Sequence, residues 1–379
     1  MAETLEVDVL IVGGGPAGFS AALRLAQLQK ASGGESLSVA VLEKARDAGA
    51  HSLSGAVLDP STLRELIPDC EAKGVPFAVP VHRDHVYFLT RQSKLPFPII
   101  PPPLQNHGNV IVSLNALVRW LSEQVEKAGV DLFTGFAGRE VLLDGARVIG
   151  VRTGDRGIAK DGSKKSEFEP GVEILAKVTI FCDGVRGNLT KEIVQRLDLS
   201  RDREPEQYAV GLKELWEVPE GRIEPGTVIH TLGYPVLQDQ FGGGFLYAMP
   251  QRRISLGFVV GLDYHDPLFD PHMAFNRFKD AQTDEAKNQV TQIHQLVEQF
   301  MLQKRKCPKN VQELKAAGIA SKVSKDPWGN DYEIQCEQGS SEAIEVKSGG
   351  PDGAMGTEDD LSSRADEAEA AVEGETKKK

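Results

Sequence analysis

Hydrophobic positions near the start of the chain form one block that ends in a glycine cluster. Residues 7–12 are apolar except for Asp8, a pattern typical of a strand buried on both faces of a parallel sheet. Glycines then interrupt the run, and residues 19–26 continue with strong helix formers. The pattern predicts a strand, a tight turn and a helix in succession.

Further along the chain, the pattern predicts more strands and helices and one irregular segment. Strands are predicted at 38–42, 130–133, 140–143, 147–152 and 178–182, and the strand at 147–152 is expected to pair with that at 140–143 as a hairpin across Asp144-Gly145. Helical spacing predicts a helix from 111 to 127. Residues 76–103 alternate apolar runs with proline, which blocks helices and central strands. We therefore expect an irregular segment that either packs as a loop over the core or rests on an apolar surface.

The second half of the chain changes character twice. Between residues 208 and 262 strands follow one another without helices, which predicts a separate antiparallel sheet. Residues 283–305 have the spacing of an amphipathic helix, and Pro308 ends it. Residues 362–379 are rich in Ala, Glu and Lys and are predicted to be disordered.

These patterns predict an α/β fold with several units. The expected boundaries are a nucleotide-binding domain at 1–205, an antiparallel domain at 206–280, a small α+β domain at 283–361 and a tail at 362–379. A length of 379 residues is ample for several buried cores.

Composition and charge exclude several classes of protein. The net charge of -12 and a pI near 5.3 argue against nucleic acid as a partner. The first strand begins almost at once and no apolar run reaches eighteen residues, so we expect neither a signal peptide nor a transmembrane helix. The four cysteines are too scattered to predict a zinc or iron–sulfur site.

The first glycine cluster has the spacing of a phosphate-binding turn. Gly13, Gly15 and Gly18 form a G-x-G-x-x-G pattern between the predicted strand and helix. The first glycine permits the turn, the second lets a pyrophosphate approach the backbone, and the third lets the helix pack on the strand. The second strand ends in Glu43, which is placed to accept hydrogen bonds from ribose hydroxyls. The sequence predicts dinucleotide binding, and the alternative is an ordinary glycine-rich turn.

Three other segments are candidates for ligand contact, each with a structural alternative. The small residues at 49–60 suit a flavin ring or a plain surface connection. Asp183 and Gly184 follow a predicted strand and suit a second nucleotide contact or a turn that caps a helix. The glycines at 242–244 suit close approach by a ligand or a strand bulge.

Motifs between residues 5 and 280 resemble one known family in family order. The chain is similar to the electron transfer flavoprotein–ubiquinone oxidoreductases at segments 9–18, 43–44, 49–56, 106–109, 213–216 and 257–264. The resemblance implies an FAD enzyme of the glutathione-reductase type, related to geranylgeranyl reductases. Such an enzyme takes electrons from reduced electron transfer flavoprotein and passes them to ubiquinone at a membrane surface.

The resemblance also implies roles for individual residues. The ADP half of FAD would be held by Gly13, Gly15, Gly18, Glu43 and Lys44, and Asp183 and Gly184 would add cofactor contacts. The flavin would be lined by His51, Ser54 and Gly55, and the quinone would contact Gly242 and Gly243. The proline-rich part of 63–103 would dip into the bilayer. Because the flavin carries the chemistry, no proton-abstracting residue is expected.

The chain departs from this family beyond residue 280. Family members continue with a late FAD segment, a second membrane-contacting segment and the cysteines of a 4Fe–4S cluster, and no equivalent cysteine set follows here. The resemblance therefore implies no cluster and weak or substoichiometric FAD binding.

Residues 283–361 resemble the C-terminal domain of the major pseudopilin of type II secretion systems. The resemblance rests on the Asp-Pro-Trp-Gly-Asn-x-Tyr motif at 326–332 and the Gly/Asp-rich segment at 348–361. It implies calcium binding, with Asp352, Asp359 and Asp360 as candidate ligands, and pseudopilus components as partners. A solvated acidic loop is the alternative.

Three interpretations of the whole chain remain open. It is a peripheral enzyme at the cytoplasmic face of a bacterial inner membrane, a calcium-binding assembly module carried on a flavoprotein fragment, or a fusion near 281–284 without integrated function. The longer and denser resemblance favours the enzyme.

Overall fold

The computed structural model describes residues 4–34, 36–53, 55–91, 93–236, 240–320, 325–326, 329–336, 344–350, 353–357 and 360–364. For residues 280–288, which lie inside a helix, it describes the backbone alone. Within these ranges the chain forms twenty strands and six α-helices.

The strands up to Thr153 are β1 Thr4–Val12, β2 Val39–Glu43, β3 Ala56–Leu58, β4 Phe77–Pro80, β5 Arg83–Leu89, β6 Lys94–Pro96, β7 Val110–Val112, β8 Asp131–Thr134, β9 Gly138–Asp144 and β10 Arg147–Thr153. The later strands are β11 Arg156–Ile158, β12 Lys164–Glu169, β13 Glu173–Phe181, β14 Ala209–Glu217, β15 Thr227–Gly233, β16 Gly242–Met249, β17 Arg253–Gly261, β18 Glu333–Cys336, β19 Ile344–Ser348 and β20 Leu361–Ser362. The helices are α1 Pro16–Ser32, α2 Ser61–Leu66, α3 Leu114–Lys127, α4 Asn188–Arg196, α5 Pro271–Lys304 and α6 Val311–Ala316.

The first sheet has the strand order β8-β2-β1-β13-β10-β9. Strands β8, β2, β1 and β13 are parallel, and β10 and β9 continue the sheet as an antiparallel hairpin. Ile11 and Val41 are fully buried, and they share one apolar core with Phe19 of α1 and Val118 of α3. The predicted strand, turn and helix at the start of the chain are confirmed, as is the hairpin of β9 and β10.

The helix predicted from residue 111 begins three residues later. Ile111 and Val112 lie in β7, and Ser113 is the N-cap, whose hydroxyl accepts the backbone N–H of Ala116. An apolar pair before a serine cap fits a strand end as well as a helical turn, so hydrophobic spacing alone placed the start too early.

The second sheet has the order β14-β17-β16-β15-β5-β6, and it is mixed rather than antiparallel. Strand β15 pairs in parallel with β5, with Thr227 opposite Arg83 and Gly233 opposite Leu89. The predicted irregular segment at 76–103 therefore contains an interior strand, and the second sheet includes residues that precede the expected 206–280 unit. The prolines flank β5 without entering it, so they do not remove its ladder hydrogen bonds.

A third, small sheet of order β3-β7-β4 contacts the second sheet. Ile111 of β7 packs with Val228 and Met249 of the second sheet in a shared buried cluster. Part of the predicted loop at 49–60 is therefore a strand, because residues 56–58 pair with β7.

Helix α5 is continuous through the expected junction at 281–284. Its first part packs Phe275 against Phe258 of the second sheet, and its last part places Val297 and Phe300 in a separate core with β19. The helix predicted to start at residue 283 therefore begins at Pro271, where the Asp270 side chain caps it.

The C-terminal unit combines the end of α5, helix α6 and the antiparallel sheet β18-β19-β20. A disulfide joins Cys307 to Cys336, which cysteine spacing did not predict. The predicted tail starts too early, because Ser362 lies in β20 and the Ser363 hydroxyl bonds with His294. Residues 365–379 lie outside the described ranges. In the part of the chain that the structure describes, no helix is long and apolar enough to cross a membrane.

Candidate functional site

The three motif glycines, Gly13, Gly15 and Gly18, have different neighbours at the carboxyl end of β1. A Cβ added to Gly13, whose φ is +109°, would lie 2.2 Å from the carbonyl oxygen of Cys182, at the end of β13. A Cβ on Gly18 would lie 1.9 Å from the carbonyl oxygen of Gly13. A Cβ on Gly15 would meet no heavy atom within 4 Å. Two glycines are therefore required by packing, and Gly15 alone of the three opens on free space.

The carboxylate of Glu43 is held beside this turn. Its Oε2 accepts the backbone N–H of Gly14 at 2.8 Å, and its Oε1 accepts that of Ala45 at 2.7 Å. Helix α1 starts at Pro16 after Gly15, and no side chain caps its N-terminus. Free N–H groups and the helix dipole favour an anion at this point. Lys44, predicted to bind the cofactor, is exposed next to Glu43.

These residues fit the ADP half of FAD. The free space over Gly15 is where a side chain would obstruct a pyrophosphate, and the helix N-terminus faces it. Glu43 provides acceptor oxygens at the tip of the neighbouring strand, where a ribose would lie.

The loop after β2 reaches the second sheet at Gly55. His51 is exposed on this loop, and Ser54 lies outside the described residues. Gly55 is buried with φ +76°, and a Cβ there would lie 2.3 Å from the side chain of Ser255. The ammonium of Lys213 donates a hydrogen bond to the Gly55 carbonyl at 2.5 Å. The predicted flavin-side loop is therefore anchored on the second sheet.

Asp183 has a structural task at the end of β13. Its carboxylate accepts hydrogen bonds from the backbone N–H groups of Leu189 and Thr190 and from the Thr190 hydroxyl. The Asp183 side chain therefore caps the start of α4. Gly184 is exposed with φ +90° in the turn between β13 and α4. This matches the helix-cap alternative for Asp183, and its FAD contact stays a prediction.

Gly242 and Gly243 are surrounded by neighbouring strands. A Cβ on Gly243 would lie 2.1 Å from the Thr231 carbonyl oxygen, and one on Gly242 would lie 2.3 Å from that of Val259. Close packing between strands is therefore reason enough for glycine here. Their contact with a quinone stays a prediction.

Three polar residues that were not predicted lie on the strands of the second sheet and are at least half-buried. They are Lys213, His230 and Tyr247. The His230 ring is 3.3 Å from the Tyr247 hydroxyl, and Tyr247 stacks on Phe245 at 4.6 Å between ring centroids. Burial raises the pKa of Tyr247 to about 12 and lowers the pKa values of His230 and Lys213. The available signal was a polar side chain inside a predicted strand.

The acidic residues of the C-terminal unit are only partly described. Asp352 and Asp359 lie outside the described residues, and Asp360 accepts the backbone N–H of Gly356 at 2.6 Å. Asp326 is buried and accepts the hydroxyl of Ser348 at 2.7 Å and the N–H of Asn330 at 2.6 Å. Among the described residues, no group of three or more His, Cys, Asp and Glu is arranged to hold a metal ion.

The first comparisons concern the fold, and they indicate a chain with a Rossmann-like nucleotide-binding unit at its start. A geranylgeranyl bacteriochlorophyll reductase-like protein from Thermoplasma acidophilum is similar in structure, with a TM-score of 0.56 and 19% identity. The likeness covers 74% of this chain and 63% of that one. A family model for an NAD(P)-binding Rossmann-like domain matches residues 11–77.

In sequence, the chain is similar to electron transfer flavoprotein–ubiquinone oxidoreductases. The chain is 48% identical over 279 residues to the mitochondrial protein of Bos taurus, a match that covers 72% of this chain and 45% of the relative. It is 44% identical over 280 residues to that of Arabidopsis thaliana, covering 73% and 44%. The chain therefore spans a little less than half the length of these relatives.

Two further family models overlap on helix α5. The ubiquinone-binding model of the same oxidoreductases matches residues 208–296, and the model for type II secretion system protein G matches residues 273–364. Both matches include residues 273–296, which lie within α5.

Proposed function

We propose that the part of the chain up to residue 280 forms an FAD-dependent oxidoreductase that passes electrons from reduced electron transfer flavoprotein to ubiquinone. The observation that carries the proposal is the free space over Gly15 beside the Glu43 carboxylate. The names of the relatives supply the donor and the acceptor.

In this proposal the chain's own residues bind and orient the cofactor. Gly13, Gly15 and Gly18 shape the turn that receives the pyrophosphate, Glu43 accepts the ribose hydroxyls, and Lys44 lies beside them. The flavin-side residues are His51, Ser54 and Gly55, and Asp183 and Gly184 line the same sheet edge. When bound, FAD supplies the electron transfer itself.

An apolar end of the second sheet supports a quinone and membrane contact. The exposed residues there are Phe88 and Leu95, which pair across the β5–β6 hairpin, and Phe241, which is 76% exposed before β16. Ile99, 78% exposed, follows the same hairpin. We place a lipid surface against this end, where Gly242 and Gly243 would meet the quinone. Because the secretion-system match favours a bacterial protein, we assign this surface to the cytoplasmic face of the inner membrane.

The test is FAD titration of the purified chain, followed by an assay with reduced electron transfer flavoprotein and a soluble ubiquinone analogue. We expect quenching of flavin fluorescence on binding, and quinone reduction that depends on the flavoprotein donor. A chain that leaves flavin fluorescence unchanged, or that reduces quinone equally well from NADH alone, would contradict the proposal.

A second candidate function applies to the C-terminal unit. We infer a calcium-binding module like that of secretion pseudopilins, supported by the match to protein G over residues 273–364, with pseudopilus components as partners. Asp352, Asp359 and Asp360 are the proposed ligands. Calcium should raise the melting temperature of the full chain, whereas magnesium at equal concentration should not. An Asp360→Asn variant that keeps the full calcium shift would exclude Asp360 as a ligand.

A further inference from the structure

A single lysine joins the two sheets at the predicted flavin-side loop. Lys213 lies on β14, the edge strand of the second sheet, and its Nζ donates to the carbonyl of Gly55 at 2.5 Å. The two residues are 158 positions apart in the chain. Gly55 has no space for a side chain against Ser255, so loop and sheet touch here through backbone and side chain together.

The charge of Lys213 has no carboxylate partner among the described residues. The adjacent Glu214 points to the opposite face of the sheet, where it pairs with Lys279 of α5 at 2.9 Å. Lys213 instead lies 5.4 Å from the centre of the Phe245 ring and is half-buried. Burying an ammonium without a carboxylate beside it costs free energy, and a nearby anion would offset this cost.

The position of this charge suggests which anion offsets it. If the loop at 49–55 flanks the flavin, as the proposed function has it, the ammonium lies next to the ring system. A positive charge there stabilises the reduced cofactor, which carries more negative charge than the oxidised one.

We propose that Lys213 is a positioning residue with two effects. Only the second effect, on the flavin, rests on the proposed function. Lys213 clamps the flavin-side loop onto the second sheet through the Gly55 carbonyl. It also raises the reduction potential of the bound flavin through its unpaired charge.

The clamp is tested without any cofactor by hydrogen–deuterium exchange of peptides spanning residues 44–58. Lys213→Met keeps the length of the side chain and loses the donor, so exchange should become several-fold faster. Lys279→Met is the matched control, because Lys279 also lies near a phenylalanine ring, 4.8 Å from the centre of Phe275, but contacts Glu214 instead of the loop. Lys213→Arg retains a donor and should restore slow exchange. Equal exchange in Lys213→Met and the unchanged chain overturns the clamp.

The charge effect is tested on the FAD-loaded chain by dye-linked reductive titration. We expect Lys213→Met to lower the reduction equilibrium constant about tenfold, which is about 30 mV for a two-electron couple. Lys213→Arg should stay near the unchanged chain, and Lys279→Met should not differ from it. An unchanged potential in Lys213→Met overturns this part. A chain that binds no FAD overturns both the proposed function and the charge effect. The clamp is then still tested by hydrogen–deuterium exchange of residues 44–58.

Discussion

At the scale of single residues, the three glycines of the turn at 13–18 are glycines for different physical reasons. Gly13 and Gly18 are required because backbone atoms occupy the place of a side chain. Gly15 has ordinary extended backbone angles and free space around it, so nothing in the folded chain demands glycine there. In the proposed function, the requirement for glycine at position 15 comes from the pyrophosphate of FAD.

The first prediction separates these two kinds of glycine. Gly15→Ala should change the free energy of unfolding by no more than about 0.5 kcal/mol. Because a methyl group would displace the pyrophosphate from the backbone, FAD affinity should fall by about 1.5–3 kcal/mol, roughly ten- to hundredfold. Gly18→Ala should cost about 1–3 kcal/mol of folding stability through overpacking. Chemical denaturation and fluorescence titration measure the two effects.

Gly211→Ala on β14 is the control for this experiment, since its Cβ would make only an ordinary contact at 3.7 Å. Equal loss of stability in the Gly15 and Gly18 variants would contradict the division of roles.

The second prediction concerns Asp8 of β1, whose carboxylate contacts Lys177 of β13 and Ser38, the residue before β2. A hydrogen bond from Lys177 and others from Ser38 lower the pKa of Asp8 from 3.8 to about 2. A group with a lowered pKa in the folded state stabilises the fold above its unfolded pKa, and this contribution is lost as the pH falls from about 4 to about 2. Asp8→Asn should therefore flatten the acid side of the melting-temperature profile in this window. Asp131→Asn, at an exposed position of β8, should leave the profile unchanged.

At the scale of elements, helix α5 is shared by two cores. Its first part buries Phe275 under the second sheet, and a Cβ on Gly244 of that sheet would collide with the Phe278 ring. Its last part buries Val297 and Phe300 among β19 and α6. The overlap of the two family matches lies on this helix, so one element carries the side chains of two different cores in succession.

The third prediction follows from the continuity of this helix. Gln282→Pro should break it at a local cost of about 3 kcal/mol, because proline removes a hydrogen bond and clashes with the preceding turn. Spin labels at Met273 and Leu302, both exposed, should lie about 44 Å apart in the intact helix at about 1.5 Å per residue. The proline variant should give a broader and shorter distance distribution.

These labels require a background without the free cysteines Cys70 and Cys182. Gln282→Ala, which favours helix, is the matched control and should keep the narrow distribution. A broad distribution in both variants would mean that the helix is not continuous in solution.

At the scale of the whole molecule, the part up to residue 280 and the C-terminal unit are stabilised by different interactions. The part up to residue 280 depends on two six-stranded sheets, the small sheet β3-β7-β4, the β11–β12 hairpin and the apolar clusters packed against the sheets. The C-terminal unit is much smaller, and the Cys307–Cys336 disulfide ties the segment after α5 to β18. Small units with little apolar core commonly depend on such a cross-link.

The fourth prediction is that reduction affects the two ends unequally. Removing the disulfide with Cys307→Ser and Cys336→Ser should destabilise the C-terminal unit by about 2–4 kcal/mol, because the unfolded loop regains its conformational freedom. Amide exchange should rise in α6 and β18 and stay unchanged in β1 and β16. Cys70→Ala, which removes a buried free thiol, is the control for loss of a cysteine alone. Faster exchange throughout the chain would contradict two separately stabilised ends.

Local sequence was sufficient for the parts of the fold whose causes are local. The turn at Gly13–Gly18, the acid at the tip of β2 and the hairpin across Asp144 depend on residues a few positions apart, and all three were predicted. Interior strand β5 was missed because β15, which pairs with it from Arg83 to Leu89, lies far along the chain, whereas the nearby strand β6 pairs only with its end. The Lys213–Gly55 bond and the Cys307–Cys336 disulfide were missed for the same reason. Hydrophobic periodicity in the sequence indicates which face of an element is buried. Only the tertiary structure determines which distant element covers that face.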